Sequence, residues 1–233
     1  IMIQVSFGEV VNVTGSPQLT LETGSNDGIA IYFSGSGTST LQFNYTVLVP
    51  HGSGDLDYQS TDALALNGAT ILDAAGNAAT LTLPVPGATG SLGANKDIVI
   101  DTAVSVPNAP DLQAASDTGT LNTDNVTDIT TPTFDITGLE SAATVTMTCS
   151  PIGGGEPIVV QAQVVAGGSS CAITVTSPLS QGVYTVTARQ TDLAGNVSSA
   201  SPAMAPILTI AVAPSVTPQA ATDVASTTAT GNG

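Results

Sequence analysis

A chain of 233 residues carries eighteen Asp and Glu against two Lys and Arg, a formal net charge of −16. With so few cations it has no basic stripe to displace phosphate counterions and no polybasic patch for anionic lipid, which excludes nucleic acid and charged-membrane docking. Hydrophobic residues reach 42%, enough for a core rather than disorder, while aromatics at 3% with no Trp leave little for large stacking platforms.

At roughly 150 residues per domain the length fits one large domain or two small ones. Asp outnumbers Glu fourteen to four. Helix surfaces favour Glu and Lys. Asp instead suits turns and calcium loops, where its short carboxylate offers hard oxygen ligands. Thr, Ser, Val and Gly fill the remaining positions as strands and tight turns require, so the composition is all-β. No stretch approaches the ~18 apolar residues of a membrane span; the apolar run Ile207–Ala213 has strand length. The chain opens on Ile1 in a strand-like run without a signal-peptide pattern, and we read it as part of something longer.

In chain order, period-two alternation sets out the strands. Leu19 and Leu21 share a face, then Ile29, Ile31 and Phe33. The longest stripe is Leu41, Phe43, Tyr45, Val47 and Val49; Leu64/Leu66 and Leu81/Leu83/Val85 follow. Ile98–Asp101 reads as a closing strand and Val106–Pro110 as a stiff connection, since proline fixes φ. A second set comprises Val145/Met147/Cys149, Ile158/Val160, Cys171/Ile173/Val175 and Tyr184/Val186/Ala188. These runs predict one β-domain at 1–103, a second at 104–212, and a linker or the start of a further module at 213–233. Each domain of about 100 residues, with several short strands, points to a sandwich.

The string D-x-A-G-N occurs twice, at Asp73–Asn77 and Asp192–Asn196. Its Gly suits a positive-φ turn position. Its Asp either bonds backbone within an Asx-type turn or points outward, with the Asn carbonyl, as a calcium ligand. Outward Thr ladders (Thr144/Thr146/Thr148, Thr185/Thr187) fill the solvent face of a sheet. N-x-S/T sequons begin at Asn12, Asn44, Asn125 and Asn196, a number expected by chance in so Thr-rich a chain.

Asp192–Ser198, preceded by Gly182–Ala188, resembles the last strands of bacterial Ig-like repeats in giant surface adhesins, and Ala114–Gly119 through Thr131–Phe134 resembles their opening. Through Val5–Gly15, Pro17–Gly24 and Ala63–Asn77, the first domain is similar to the flagellar-system-associated surface repeat. The resemblance implies tandem immunoglobulin-like β-sandwiches in a secreted bacterial cell-surface protein, often rigidified by structural calcium at domain junctions. Carried over position by position, the ligands are Asp101 with Asp192 or Asn196, then Asp73, Asn77, Asp111 and Asp117. Such repeats usually begin with one or two strands ahead of Val5–Phe7, and place an Asp where this chain has Ile210–Ala213; no full site is implied at that second boundary. A sandwich lacking a leading strand exposes an edge that a strand from an identical protomer can fill.

Cys149 and Cys171, the only cysteines, both alternate inward. An even count in a secreted setting favours a disulfide, worth roughly 3 kcal/mol in the chain-entropy model; the alternative is two buried free thiols. His51 lies in a Gly-rich turn beside Asp55 and Asp57, with no G-x-S-x-G elbow, so it reads as a turn histidine rather than a catalytic one. The two carboxylates, without sugar-stacking aromatics, read as calcium-binding or solvated rather than as a glycosidase pair. The expected function is therefore a non-enzymatic extracellular module that extends and stiffens a stalk, with neighbouring repeats as its partners. Alternatives are a filament or sheath subunit built by strand donation, and a carbohydrate-binding module taking a glycan or other surface ligand.

Overall fold

The structure, a computed structural model, describes residues 1–211. The segment expected as a linker, 213–233, lies outside the described residues. The chain is all-β, forming two immunoglobulin-like β-sandwich units, and its helical content among the described residues is the single turn α1 (Leu92–Asn95). One unit comprises Ile1–Ser105 with Gln190–Ser198; the other comprises Val106–Arg189 and the described residues from Ser199 on. The segment Gln190–Ser198, expected in the second domain, groups with the first because its side chains bond that unit's last residues. Gln190 donates its amide to the Ser105 carbonyl at 3.0 Å, and Asn196 donates to that of Asp101 at 3.2 Å.

In the first unit the strands are β1 (Met2–Thr14), β2 (Gln18–Leu21), β3 (Gly28–Ser34), β4 (Thr38–Asn44), β5 (Leu64–Ala65) and β6 (Thr70–Leu72). They form a six-stranded sheet in the order β5-β2-β3-β4-β1-β6. The thirteen residues of β1 change partner part-way. Met2–Ser6 pair with Asn44–Thr40 of β4, the register breaks between Ser6 and Val11, and Asn12–Thr14 pair with β6. Among the described residues, Met2–Ser6 therefore has a strand on one side only.

Leu19, Leu21, Leu41, Phe43 and Tyr45 are buried together with Leu56 and Ile71, each side chain contributing about 1.5–3 kcal/mol by leaving water. The stripe Ile29, Ile31 and Phe33 instead faces outward, at 43%, 48% and 60% exposure, while Ala30 is buried. Both faces of β3 are apolar, so periodicity alone did not fix which turned inward. Val47 and Val49, expected to prolong the stripe of β4, lie beyond its end and are exposed.

The second unit contains β7 (Asp111–Leu112), β8 (Val126–Thr127), β9 (Thr133–Thr137), β10 (Thr144–Pro151), β11 (Ile158–Gln163), β12 (Ser170–Thr174), β13 (Gly182–Thr191) and β14 (Leu208–Ile210). Two sheets, β11-β10-β13-β14-β8 and β12-β9-β7, enclose one core. On β10, Val145, Met147 and Cys149 are buried, as their alternation requires. Opposite them the threonines meet β11: Gln163 donates to Thr144 Oγ1 at 2.6 Å and Gln161 to Thr146 Oγ1 at 3.1 Å. At the start of β13, Tyr184 donates its hydroxyl to the Ser180 carbonyl four residues upstream, at 2.9 Å. That is the tyrosine corner of immunoglobulin-like sandwiches.

Candidate functional site

The two D-x-A-G-N strings fold into the same turn. Gly76 (φ +90) and Gly195 (φ +92) supply the left-handed residue that a side chain would strain. In the first turn Asp73 Oδ1 accepts from the Ala75 and Asn77 amides, both at 2.8 Å, while Oδ2 accepts from Asn77 Nδ2 at 2.7 Å. In the second, Asp192 Oδ1 accepts from the Asn196 amide at 2.8 Å and Oδ2 from Asn196 Nδ2 at 2.7 Å. Each turn sits between bridged partners, Leu72 with Ala78 and Thr191 with Val197. The Asn77 side chain and the turn amides hold the Asp73 carboxyl below its usual range. Burial pushes the Asp192 carboxyl up, but the Asn196 side chain and the turn amides outweigh it, and the net shift is downward.

The Asn196 amide gathers Asp101 and Asp192: its Nδ2 faces both the Asp101 carbonyl oxygen and Asp192 Oδ2. The Asp101 side chain accepts from the Ala103 amide at 3.1 Å. Calcium takes six to eight oxygen ligands. Here an N–H donor occupies the point where two oxygens approach, and the Asp192 oxygens face N–H groups of their own turn. As arranged, Asp101, Asp192 and Asn196 fit an amide-bridged latch rather than a cation. Asp73 and Asn77 are closed in the same way. Asp111 is exposed on β7 opposite Asp135 in register, a cross-strand pair of like charges. Among the described residues no three acidic, histidine or cysteine side chains gather for a metal. Asp117 differs from the rest, being buried with one carboxylate oxygen lacking a partner.

His51 is 8% exposed. Its Nδ1 lies 2.8 Å from the Tyr45 hydroxyl and accepts from the Leu48 amide at 3.3 Å, and the two rings stack with centroids 5.7 Å apart. The histidine thus props the core end of a loop. Asp57 was expected to bind calcium or face solvent; instead it is 9% exposed and anchors the connection around α1. It accepts from the Tyr58 amide at 2.8 Å, Gly87 at 2.9 Å and Leu92 at 3.2 Å. Burial pushes its carboxyl up, and the bonds from Gly87, Ser91, Tyr58 and Gly93 bring it below the usual range. Nothing in the local sequence marks this role, because its donors lie about thirty residues downstream.

The expected disulfide is absent: Cys149 and Cys171 are free thiols. Cys149 is enclosed in the core on β10, opposite Ile158, whereas Cys171 sits half-buried at the core's margin on β12, opposite Ile136. Shared inward parity put both against one core without putting them together. Burial pushes the Cys149 thiol up to about 11, and burial together with Asp135 raises that of Cys171.

Two facing sheets around one core, closed by a tyrosine corner, define the second unit as an immunoglobulin-like sandwich. Residues 103–207 match the family described as Bacterial Ig-like domain. No curated protein matches the chain. Among solved structures, the crystal structure of a tetra-tandem repeat in the extending region of a large adhesion protein is similar at 17% identity. The alignment covers 87% of this chain and 50% of that one, with a TM-score of 0.32, too low to bear on fold or function. This chain thus spans half the length of that structure.

Proposed function

We propose that the chain is a structural repeat of a bacterial cell-surface protein, extending and stiffening a stalk rather than carrying out chemistry. The observation that carries this reading is the match of residues 103–207 to bacterial Ig-like domains, on a unit whose two sheets enclose one apolar core. The charge balance supports it, since only Lys96 and Arg189 offer sites to trypsin-like proteases. An outside location is part of the proposal; no helix among the described residues is long and apolar enough to cross a membrane. Calcium bridging through Asp101, Asp192 and Asn196 is not part of it, because those groups are joined by an amide. Pulling single molecules of the chain from both ends tests the idea. Two discrete unfolding steps, each recovering on relaxation, are expected of a stalk repeat; featureless extension at low force contradicts it.

A second reading, self-assembly by strand pairing, is favoured by the one-sided pairing of Met2–Ser6 in β1. Unpaired strand edges recruit strands. Electron microscopy and sedimentation over a range of concentrations test it. Regular fibres or growing oligomers support assembly, and a monomer at every concentration removes it.

A further inference from the structure

We propose that β11 is a docking edge for a second copy of this chain. Two β11 strands pair antiparallel about a two-fold axis at Gln161, so that two five-stranded sheets continue as one. β11 ends its sheet and, with six residues, is the longest strand to do so among the described residues; β5, β7 and β8 have two each, β6 three and β12 five. Short edges offer little to pair with. The register of β11 on β10 runs unbroken from Thr144↔Gln163 to Cys149↔Ile158, and the Val164 amide extends it by donating to the Ala143 carbonyl at 2.9 Å. In an antiparallel ladder, alternate residues turn both backbone groups to the partner. Val164, Ala162, Val160 and Ile158 therefore face β10. Val159, Gln161 and Gln163 turn their N–H and C=O away from it, where among the described residues these groups have no partner. The glutamine side chains do not shield them, because both reach back to threonines of β10.

Exposed edges are ordinarily guarded by charge, proline or a bulge. Ile158–Val165 has none of these, and between Ser141 and Ala188 the only charged residue is Glu156. Copies of a chain at −16 repel one another, so a neutral strip is where two can meet. The strip also complements itself. With Gln161 opposite its counterpart, Val159 stands opposite Gln163, and their outward groups form about six hydrogen bonds. On the core side this register sets Val160 against Ala162 and Ile158 against Val164. Ile158, Val160 and Ala162 are only partly buried at the rim of their own core, so apolar rim meets apolar rim. Glu156 falls outside the paired stretch. A two-fold contact uses the same edge on both chains and closes at two. It is smaller than the roughly 1,200 Å² of a stable interface, so the pair is weak and reversible.

The proposal does not rest on the stalk reading or on the edge of β1, which belongs to the other unit. Sedimentation of the whole chain from about 10 μM to about 1 mM tests it. A monomer–dimer equilibrium that saturates at two is expected, strengthening as salt screens the net charge. Val159→Pro, at a residue 57% exposed, removes an outward N–H and no bond to β10; the fold is kept and the dimer weakens about tenfold or more. Gln161→Lys sets like charges together on the axis and weakens it similarly, which still reads the edge if the proline variant fails to fold. Gln4→Lys, on the edge of β1, leaves the dimer unchanged. A parent chain monomeric at every concentration, or a dimer that survives both β11 substitutions, would overturn the assignment. So would association lost with Gln4→Lys alone, which would uphold pairing through β1 instead.

Discussion

Asn196 returns its side-chain amide to the Asp192 carboxylate at 2.7 Å, and Asn77 does the same to Asp73 at the same distance in the other copy of the repeated string. The repeated string is thus a closed electrostatic clasp: an aspartate collects the N–H groups of its own turn, and asparagine four residues on contributes both backbone and side chain. Asp192→Asn replaces one acceptor oxygen with an N–H₂ group facing another N–H₂. A loss of about 1 kcal/mol is expected by chemical denaturation. Asp192→Ala, which opens both bonds, should lose at least as much; if neither differs from the parent, the clasp has no energetic role.

The same carboxylates set the acid limit of the fold. Asp57, Asp73 and Asp192 are all shifted downward in the folded chain. A depressed carboxylate stabilises the folded state fully above its unfolded pKa of about 3.9, and that contribution is lost as pH falls through the lower folded value. Melting temperature should therefore be level from neutral pH to about pH 5 and decline below about pH 4. The decline should be shallower in Asp57→Asn and Asp192→Asn. A chain whose melting is insensitive to acid down to pH 2 would contradict these assignments.

Alternation in the sequence sufficed for β10 to β13, because on β10, for example, Thr144, Thr146 and Thr148 alternate with Val145, Met147 and Cys149; it set out no run for β7, β8 or β9. It was insufficient for β3, where Ile29, Ile31 and Phe33 compete with Ala30 and Tyr32 for the interior, and the smaller Ala30 is the one enclosed. Candidate ligands were legible as residue types and not as geometry. The Asp73 and Asp192 turns are local, so their spacing carried the Asx-turn reading that the bonds display. Asp57 takes its donors from Gly87 and Leu92, and the Asp117 oxygen is distinguished by a missing partner. Neither relation leaves a trace in local pattern.

Asp57 provides the sharpest test of a long-range role. Three backbone amides from two separate segments converge on its carboxylate. Removing a buried acceptor strands its donors at roughly 1–3 kcal/mol. Asp57→Ala should destabilise the first unit by that amount and loosen the connection around α1. Amide exchange at Gly87 and Leu92 should speed up while that at Tyr184, in the second unit, stays as it was.

Lys96 and Arg189 turn the fold into a protease map. Lys96 is exposed directly after α1, whereas Arg189, though its side chain is exposed, lies within β13, where the backbone is held in the sheet. Proteases need an extended, unpaired segment, and loop tips yield first. Trypsin should nick the native chain only after Lys96, and cut after Arg189 only once the second unit unfolds. Mass spectrometry of a time course distinguishes the two fragments; early cleavage after Arg189 would show that β13 is not held as described.

The thiols separate an enclosed core from a cross-linked one. With its thiol pushed to about 11 by burial, Cys149 has at pH 8 a thiolate fraction of about one in a thousand, and its enclosure blocks reagents as well. Cys171 is raised too, by burial and by the neighbouring Asp135 charge, but it is only half-buried and should react first. A colorimetric thiol titration of chain purified without reductant should therefore show slow, two-phase modification in buffer and two rapid equivalents in guanidinium. No thiol in denaturant would restore the disulfide that an even cysteine count suggests. Because Cys149 packs among Val145, Met147 and Ile158, Cys149→Ala should cost stability through lost packing, whether or not reductant is present. A bridged pair would instead lose stability on reduction alone.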